Sequence, residues 1–122
     1  MNCSSLYVTL ASPNVEALVT FYEALLGQGT DVLIPSCYAE FRLTGLRLGI
    51  FKPRPDHTNE FQAATSGGMS LCWDVEDLED AIATLTHLGH PPPGPILSAS
   101  HGREVYAYDP DGNRLILHQP NT

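Results

Sequence analysis

The sequence contains an internal repeat, and this repeat constrains the possible folds more than any other feature. The segment GLRLGIFKP (45–53) aligns with GNRLILHQP (112–120), so that Gly, Arg, Leu and Pro coincide. Upstream of each copy, a short alternating segment runs into an apolar stripe of helical period that stops at Gly27 or Gly89. We therefore expect two copies of one supersecondary unit, each with a strand, a helix and three further strands.

Each copy carries the signals of an amphipathic helix. Asn14 and Asp77 stand just before the two apolar stripes, and both residue types are good N-caps because a short side-chain oxygen accepts from the first backbone amides. The stripes have the spacing of a helix face that packs on a core. Their residues are Val15, Leu18, Phe21, Tyr22, Leu25 and Leu26 in the first copy and Leu78, Ala81, Ile82, Leu85 and Leu88 in the second.

The 122 residues have the length of a single ordinary domain, which the repeat divides into two modules. We predict module one over 1–53, a linker over 54–67 that is rich in Pro, Gly, Ser, Thr and charge, and module two over 68–122. The stretch DPDG (109–112) fits a type I turn, with Asp first, Pro second and Gly fourth. This turn should join two antiparallel strands near the end of module two.

Strict alternation along the predicted strands separates an apolar face from a mixed one. The apolar face should pack on the helices; it carries Val8, Leu10, Ala39, Phe41, Leu43, Leu48, Ile50, Leu71, Trp73, Val105, Ala107, Leu115 and Leu117. The mixed face includes five rings, from Tyr7, Tyr38, Phe51, Tyr106 and His118. A solvent-facing sheet can carry polar residues, but so many rings favour the wall of a ligand cavity, which is mostly apolar with a few fixed polar groups.

The composition disfavours several classes of function. A net charge of −8 argues against nucleic acid as a partner and gives no basic patch for anionic lipid. Three cysteines at no metal-like spacing argue against a disulfide framework and for a reducing compartment. The sequence shows neither the basic start and apolar run of a signal peptide nor the roughly 20 apolar residues of a membrane span. We therefore expect a cytoplasmic protein whose partner is a small molecule.

The paired modules, the helix endings LLG and HLG, and the stretch YAYDPDGNRLIL (106–117) together resemble the vicinal oxygen chelate superfamily. This is the group of glyoxalases, bleomycin resistance proteins and extradiol dioxygenases. The resemblance runs from Leu6 to Gln119. It implies an α+β fold in which two tandem βαβββ modules form a curved half-barrel sheet, with the helices on its outer face. It also implies a homodimer, as in many members of this length.

Metal enzymes of that superfamily use four ligand positions that face the cavity, usually His or Gln, Glu, His and Glu. Matched by motif, these positions fall on Tyr7, Gly49, Ser70 and Ile116. Zinc, iron and manganese are bound by imidazole, carboxylate or thiolate, whereas glycine and isoleucine supply no side-chain donor and serine and tyrosine are poor ones. We therefore predict no metal at the family positions and no cofactor.

The resemblance and the strand alternation predict a ligand site on the mixed face, made of Tyr7, Tyr38, Arg47, Phe51, Cys72, Tyr106, Arg114 and His118. Arg47 and Arg114 occupy equivalent places in the repeat, so they either clamp an anionic ligand or extend to the rim of the sheet. Candidates for acid–base catalysis are Glu40, Glu104 and His118. The competing interpretation of the two glutamates is pairing with an arginine (Arg42, Arg47 or Arg114), because buried charges are normally paired. No base flanks Cys72, so its thiol is expected to be unreactive.

The first function hypothesis is a metal-free small-molecule-binding protein, similar to the bleomycin resistance branch, that sequesters an aromatic or cationic compound such as an antibiotic. The alternative is a lyase, isomerase or transferase that uses glutamate or histidine of the cavity as acid and base, with or without a non-standard metal site. Whether the chain is an enzyme is left open, although metal-dependent glyoxalase or dioxygenase activity is not expected. A third class is a fold kept for structural or partner-protein contacts, with no ligand.

Overall fold

The computed structural model describes residues 1–62 and 67–121, and the chain divides into two compact units, residues 1–62 and 63–122. The first unit contains β1 (Val8–Ala11), α1 (Val15–Leu26), β2 (Val32–Ile34), β3 (Tyr38–Leu43) and β4 (Leu46–Phe51), followed by a 3-10 helix (Pro55–Phe61). The second unit contains β5 (Leu71–Asp74), α2 (Leu78–His87), β6 (Leu97–Ala99), β7 (Gly102–Tyr108) and β8 (Arg114–Pro120). The βαβββ order predicted for each copy of the repeat is confirmed.

Each unit has one four-stranded mixed sheet, and the two sheets share one strand order. The first is β1-β4-β3-β2 and the second is β5-β8-β7-β6. The first strand of each unit runs parallel to the last, because the helix carries the chain across to the opposite edge and a three-strand meander brings it back. The register also repeats, with Val8 paired to Leu48 and Leu71 paired to Leu115. Residues that align in the repeat therefore occupy equivalent places in their sheets.

Both helices have the caps that the sequence indicated. The side chains of Asn14 and Asp77 each accept a hydrogen bond from the backbone amide three residues on, at 3.1 Å and 3.0 Å. Past the C-termini, Gly27 and Gly89 adopt left-handed φ angles of 67° and 87°, which glycine takes without steric cost. Across residues 1–62 and 67–121, neither helix is long and apolar enough to cross a membrane.

The apolar face of each sheet is buried together with the helix of the same unit. α1 contacts β3 and β4, and α2 contacts β8. The buried strand residues are Ala39, Phe41, Leu48 and Ile50 in the first unit and Val105, Ala107, Leu115 and Leu117 in the second. Each large side chain contributes about 1.5–3 kcal/mol when it is removed from water, so this face holds the helix in place. The opposite face of each sheet is left to carry the candidate site.

Two boundaries differ from the sequence-based prediction. The linker predicted over 54–67 begins with the 3-10 helix, which starts at a proline because the fixed φ of that residue suits a first helical position. Residues 63–66 of this linker lie outside the described residues. The first strands begin at Val8 and Leu71, so Tyr7 and Ser70 stand just before them instead of starting them.

The DPDG turn joins β7 and β8 as predicted. The Gly112 amide donates to the Asp109 carbonyl at 2.9 Å, and the flanking strands pair in antiparallel fashion. The Asp109 carboxylate is buried and accepts from the amides of Asp111 and Asn113, each at 2.9 Å, and from the Asn113 side chain at 2.8 Å. The carboxylate thus satisfies the turn's own backbone, and the turn fixes the register of β8 beside β7.

Candidate functional site

The mixed face of the first sheet holds a buried carboxylate. Glu40 is only 6% exposed. The Tyr38 hydroxyl donates to its Oε1 at 2.7 Å, and Nε of Arg42 donates to its Oε2 at 3.0 Å. Nε of Arg47 lies 3.6 Å from Oε1, which is an ion pair without a hydrogen bond. Removing a carboxylate from water costs several kcal/mol unless it is paired, so these neighbours account for a charge inside the sheet. The pairing predicted for Glu40 is confirmed.

The same contacts set the protonation states of Glu40 and Tyr38. The hydrogen bond from Tyr38 lowers the pKa of the Glu40 carboxyl, and the two arginines act in the same direction while burial opposes them. Burial, followed by the hydrogen bond to Glu40, raises the pKa of Tyr38 from 10.0 to about 12. Glu40 is therefore ionised and Tyr38 neutral at neutral pH. A general base works best with a pKa near the working pH, so the lowered pKa weighs against Glu40 in that role.

Tyr38 also accounts for the glycine at position 49. A Cβ on Gly49 would lie 3.1 Å from the Tyr38 hydroxyl oxygen and 3.3 Å from Cγ2 of Thr9, which is tighter than ordinary van der Waals contact. The ring of Tyr38 thus borders the space that a longer side chain at position 49 would need. The lack of a side chain at position 49 therefore makes room for the Tyr38 ring.

Arg47 lies over the ring of Tyr7, with 3.9 Å between its Cζ atom and the ring centroid. This is a cation–π contact, in which the negative face of the ring attracts the guanidinium. The Tyr7 residue is 44% exposed, and the Arg47 side chain is 36% exposed. A positive charge therefore lies beside Tyr7, the first of the four positions that the superfamily resemblance assigns to metal ligands, and such a charge disfavours a cation there.

Arg114 stands at the equivalent place on β8 and makes different contacts. Its Nε donates to Oγ of Ser70 at 2.7 Å, and its Nη2 donates to the carbonyls of Gly67 and Met69. Arg114 therefore fastens the segment that enters β5. The predicted pairing of Glu104 with an arginine is wrong for the described part of the chain, because Arg114 is held by this segment and Arg42 and Arg47 pair with the other glutamate.

His118 on β8 pairs with Asp74 at the end of β5, with 2.8 Å between Nδ1 and Oδ1. A carboxylate at this distance favours a proton on Nδ1. The His118 ring lies 5.1 Å from the His101 ring, measured between centroids. Nε2 is buried without a hydrogen-bond partner in residues 1–62 and 67–121, and a Cβ on Gly102 would lie only 2.8 Å from it. Since Nε2 abuts Gly102, this geometry weighs against His118 as a base that contacts substrate.

Cys72 and Tyr106 complete the face of the second sheet. Burial, followed by the negative charges of Asp74 and Glu104, raises the pKa of the Cys72 thiol. Little thiolate is then present at neutral pH, which agrees with the expectation of an unreactive cysteine. Tyr106 is 42% exposed and lies opposite Ile116 on the neighbouring strand. Its ring is therefore available to contact a ligand.

The residues at the four family metal positions do not fit a metal ion. Gly49 and Ile116 supply no donor atom, while Tyr7 and Ser70 each contact an arginine. In the described ranges, 1–62 and 67–121, no group of three or more His, Cys, Asp and Glu side chains is arranged to hold a metal elsewhere.

Two residues of these faces were not identified from the sequence. Phe61, in the 3-10 helix, packs edge-on against Phe51 with 5.2 Å between ring centroids. The sequence signal that could have identified Phe61 is an aromatic residue in a mostly polar linker, because such a residue tends to pack against another apolar side chain. Asp74, the partner of His118, has the same strand alternation as Cys72 and lies opposite His118 in the parallel ladder.

The repeated βαβββ unit and its sheet topology define the class of protein. The family model described as the Glyoxalase/Bleomycin resistance protein/Dioxygenase superfamily matches residues 5–117. The chain belongs to this superfamily, as the resemblance to the vicinal oxygen chelate group implied. No curated protein sequence matches the chain.

Several solved structures share the fold. The solution structure of protein ATC0852 from Agrobacterium tumefaciens has 26% identity and a TM-score of 0.75, covering 95% of this chain and 96% of that one. A glyoxalase/bleomycin resistance protein from Albidiferax ferrireducens has 26% identity and a TM-score of 0.72, covering 94% and 97%. A mutant of the fosfomycin resistance protein FosX from Listeria monocytogenes, complexed with Mn(II) and a dihydroxypropylphosphonic acid, has 20% identity and a TM-score of 0.73, covering 98% and 93%. The likeness to FosX shows the fold alone.

Proposed function

We propose that the chain is a metal-independent binding protein for a small planar aromatic compound. The observation that carries the proposal is the set of residues at the four family metal positions. Two of them, Gly49 and Ile116, have no donor atom, and the other two, Tyr7 and Ser70, are engaged by arginine. Losing one ligand would leave a weakened metal site, whereas here two positions lack a donor atom and a guanidinium beside each of the other two disfavours a cation.

The aromatic side chains of the mixed faces support the choice of ligand. Tyr7, Tyr38, Phe51 and Phe61 belong to the first unit, and Tyr106 belongs to the second. Aromatic rings bury a large area and stack favourably on other rings, at about 0.5–1.5 kcal/mol per pair beyond the burial itself. An exposed ring such as Tyr106 gains this contact only when a ligand covers it.

The mixed faces of the two units differ in what they offer to a charged ligand. In the first unit Glu40 is already paired with Arg42 and Arg47, so it offers little to a cation. In the second unit no arginine of the described residues pairs with Glu104, and this carboxylate is the group that would receive a cationic ligand. The aromatic component is therefore the part of the proposal that both units support.

A second candidate function is acid–base catalysis. It draws on the contact between Asp74 and His118, since a carboxylate that orients an imidazole is a recurring element of enzyme sites. The buried Nε2 of His118 is the observation against it. Cytoplasmic location and a homodimer remain predictions of the sequence and accompany either function.

Thermal denaturation in the presence of EDTA tests the proposed function. A panel of planar aromatic compounds should include at least one that raises the melting temperature by several degrees, because a ligand at a hundred times its Kd adds about 2.7 kcal/mol to the free energy of unfolding. Tyr106→Ala should reduce that rise, since the exposed ring is part of the proposed contact surface.

Leu33→Ala is the matched control. Leu33 is 53% exposed but lies opposite Ala39, on the helix side of its sheet, so its removal should leave ligand stabilisation unchanged. If no compound of a broad aromatic panel stabilised the protein, or if stabilisation required added metal, the proposed function would be wrong. Turnover of a panel member would favour the catalytic candidate instead.

A further inference from the structure

The repeat places two arginines in equivalent positions, and their surroundings differ. Arg47 precedes Leu48 on β4, which pairs with Val8 at the start of β1. Arg114 precedes Leu115 on β8, which pairs with Leu71 at the start of β5. Each arginine therefore contacts the residue just before the first strand of its own unit. Any difference between their contacts therefore comes from the residues around each arginine and not from its place in the fold.

The hydrogen bonds of Arg114 are made to its own unit. They go to the Ser70 hydroxyl and to two backbone carbonyls of the segment before β5. These bonds connect β8 to the start of the neighbouring strand, so Arg114 has a structural role. Its guanidinium has correspondingly fewer donors left for a ligand.

The side chain of Arg47 makes no hydrogen bond within residues 1–62 and 67–121. Its Nε is buried and lies 3.6 Å from the nearest Glu40 oxygen, which is too far for a hydrogen bond. Its position is held by the Tyr7 ring, at 3.9 Å, and by the charge of Glu40. A guanidinium has five N–H donors. The Nε donor of Arg47 is buried, but the four donors on its two Nη atoms are not bonded to protein in the described residues and are able to donate to another molecule.

The charge around Arg47 selects the kind of group that it would bind. Glu40 carries one negative charge, and Tyr38 and Arg42 already donate to its two oxygens. Arg42 and Arg47 carry two positive charges, and Asp31, whose Oδ2 accepts from the Arg42 amide at 2.6 Å, adds a second negative charge on the Arg42 side. Of the two guanidinium groups, that of Arg42 donates to Glu40 and that of Arg47 does not. We propose that Arg47 binds an oxyanion of the ligand, a carboxylate or a phosphate, through its unbonded donors. This inference rests on the proposed function, because it assigns the anionic group of the same aromatic ligand.

A set of four naphthalene derivatives separates the possibilities in calorimetric or NMR titrations of the full chain. Naphthoate and naphthyl phosphate carry the two oxyanions, naphthamide is a neutral analogue, and naphthylmethylammonium is a cation. We expect one of the two anions to bind at least about tenfold more tightly than the amide and the cation, since a charge-assisted hydrogen-bond pair is worth this much or more. Which anion binds more tightly identifies the source of the oxyanion.

Arg47→Gln should abolish this preference, so that the affinity for the anions falls to about that for the amide. Arg42→Gln is the matched control, because it removes the same charge from the neighbourhood of Glu40 but takes away an arginine whose Nε already donates to protein. It should reduce anion affinity by less than about threefold. Arg47→Lys keeps the charge without the planar fork and should give an intermediate affinity.

Three results would overturn the inference. Equal affinity of wild-type protein for the amide, the cation and the anions would refute it without any variant and would leave the proposed function standing. An Arg47→Gln protein that folds and keeps the full anion preference would do the same. Failure of all four probes, together with failure of the wider aromatic panel, would refute the proposed function and with it the role of Arg47.

Discussion

Tyr38 has two effects on its neighbours in the first sheet. Its hydroxyl holds the Glu40 carboxylate at 2.7 Å, and the same oxygen borders the space above Gly49. The sequence identified Tyr38 as a residue of the ligand face, since alternation along a strand is a strong signal. It did not identify these contacts, because they depend on the register of β3 against β4 and on a side-chain direction that no local pattern encodes.

The packing of Tyr38 beside Gly49 leaves no room for a long side chain at position 49. Restoring a glutamate, as in Gly49→Glu, should destabilise the protein by about 1–3 kcal/mol, because the new side chain must displace the Tyr38 ring. The double variant with Tyr38→Ala should lose less stability than the sum of the two single variants, since the ring no longer blocks the space. Urea unfolding midpoints measure all three losses.

Gly49→Ala is the control for this prediction, because a methyl group requires Tyr38 and Thr9 to shift by only a few tenths of an ångström, and it should cost less stability than Gly49→Glu. A Gly49→Glu protein as stable as wild type would contradict the account of Tyr38. Strict additivity of the two single losses would contradict it equally, because the two positions would then not interact.

At the scale of elements, the start of α2 is tied to two strands of its own sheet. Nη2 of Arg103, on β7, donates to Oε2 of Glu79 in the first turn of the helix at 3.0 Å and to Oε1 of Gln119, on β8, at 3.1 Å. The same Gln119 oxygen accepts from the Leu78 amide at 2.8 Å. This network orients the helix on the sheet, and it adds a carboxylate near the helix N-terminus, where negative charge is favourable.

The network predicts a pH dependence of stability. The hydrogen bonds from Arg103 lower the pKa of Glu79 from 4.5 to about 2. A carboxyl with a lowered folded-state pKa stabilises the fold above its unfolded pKa and loses that contribution as pH falls through the folded pKa. Glu79→Gln should therefore lower the urea concentration at the unfolding midpoint above pH 4.5. The difference in this midpoint between the variant and wild type should shrink between pH 4.5 and about pH 2.

Asp80→Asn is the control, because it also removes a carboxylate from the first turn of α2, but the Asp80 side chain does not bond to Arg103. It should show a smaller effect on the unfolding midpoint than Glu79→Gln. Equal pH profiles for the two variants would mean that the effect comes from the helix terminus alone and not from Arg103.

The elements themselves were predictable because their signals are local. Caps at Asn14 and Asp77, glycines past the helix ends and the DPDG turn all act within a few residues of the sequence. The Asp109 carboxylate accepts hydrogen bonds from the amides of its own turn, so the residues that form this turn are visible in the local sequence. The partners of Arg103 and Arg114 were not predictable, since they join residues that are tens of positions apart.

At the scale of the whole molecule, the repeat and the superfamily were both predictable from the sequence, and the function was not. Two copies of one unit place Arg47 and Arg114 at equivalent positions, yet within residues 1–62 and 67–121 the Arg114 side chain is hydrogen-bonded to its own unit and the Arg47 side chain is not. The net charge of −8 does not foretell that two arginines lie beside Glu40, because composition averages over the entire surface. The chemistry of each sheet face therefore has to be established from side-chain contacts.

Metal independence is tested by the Kd of the tightest-binding naphthyl probe, measured by calorimetry first with metal-stripped protein in EDTA and then with added Mn(II) or Zn(II). We predict the same Kd within about twofold under all conditions, and no stoichiometric heat when metal is titrated into the protein alone, because the four family positions offer no ligand set. Binding that appears only after metal is added, or one tightly bound metal ion per chain, would contradict the account.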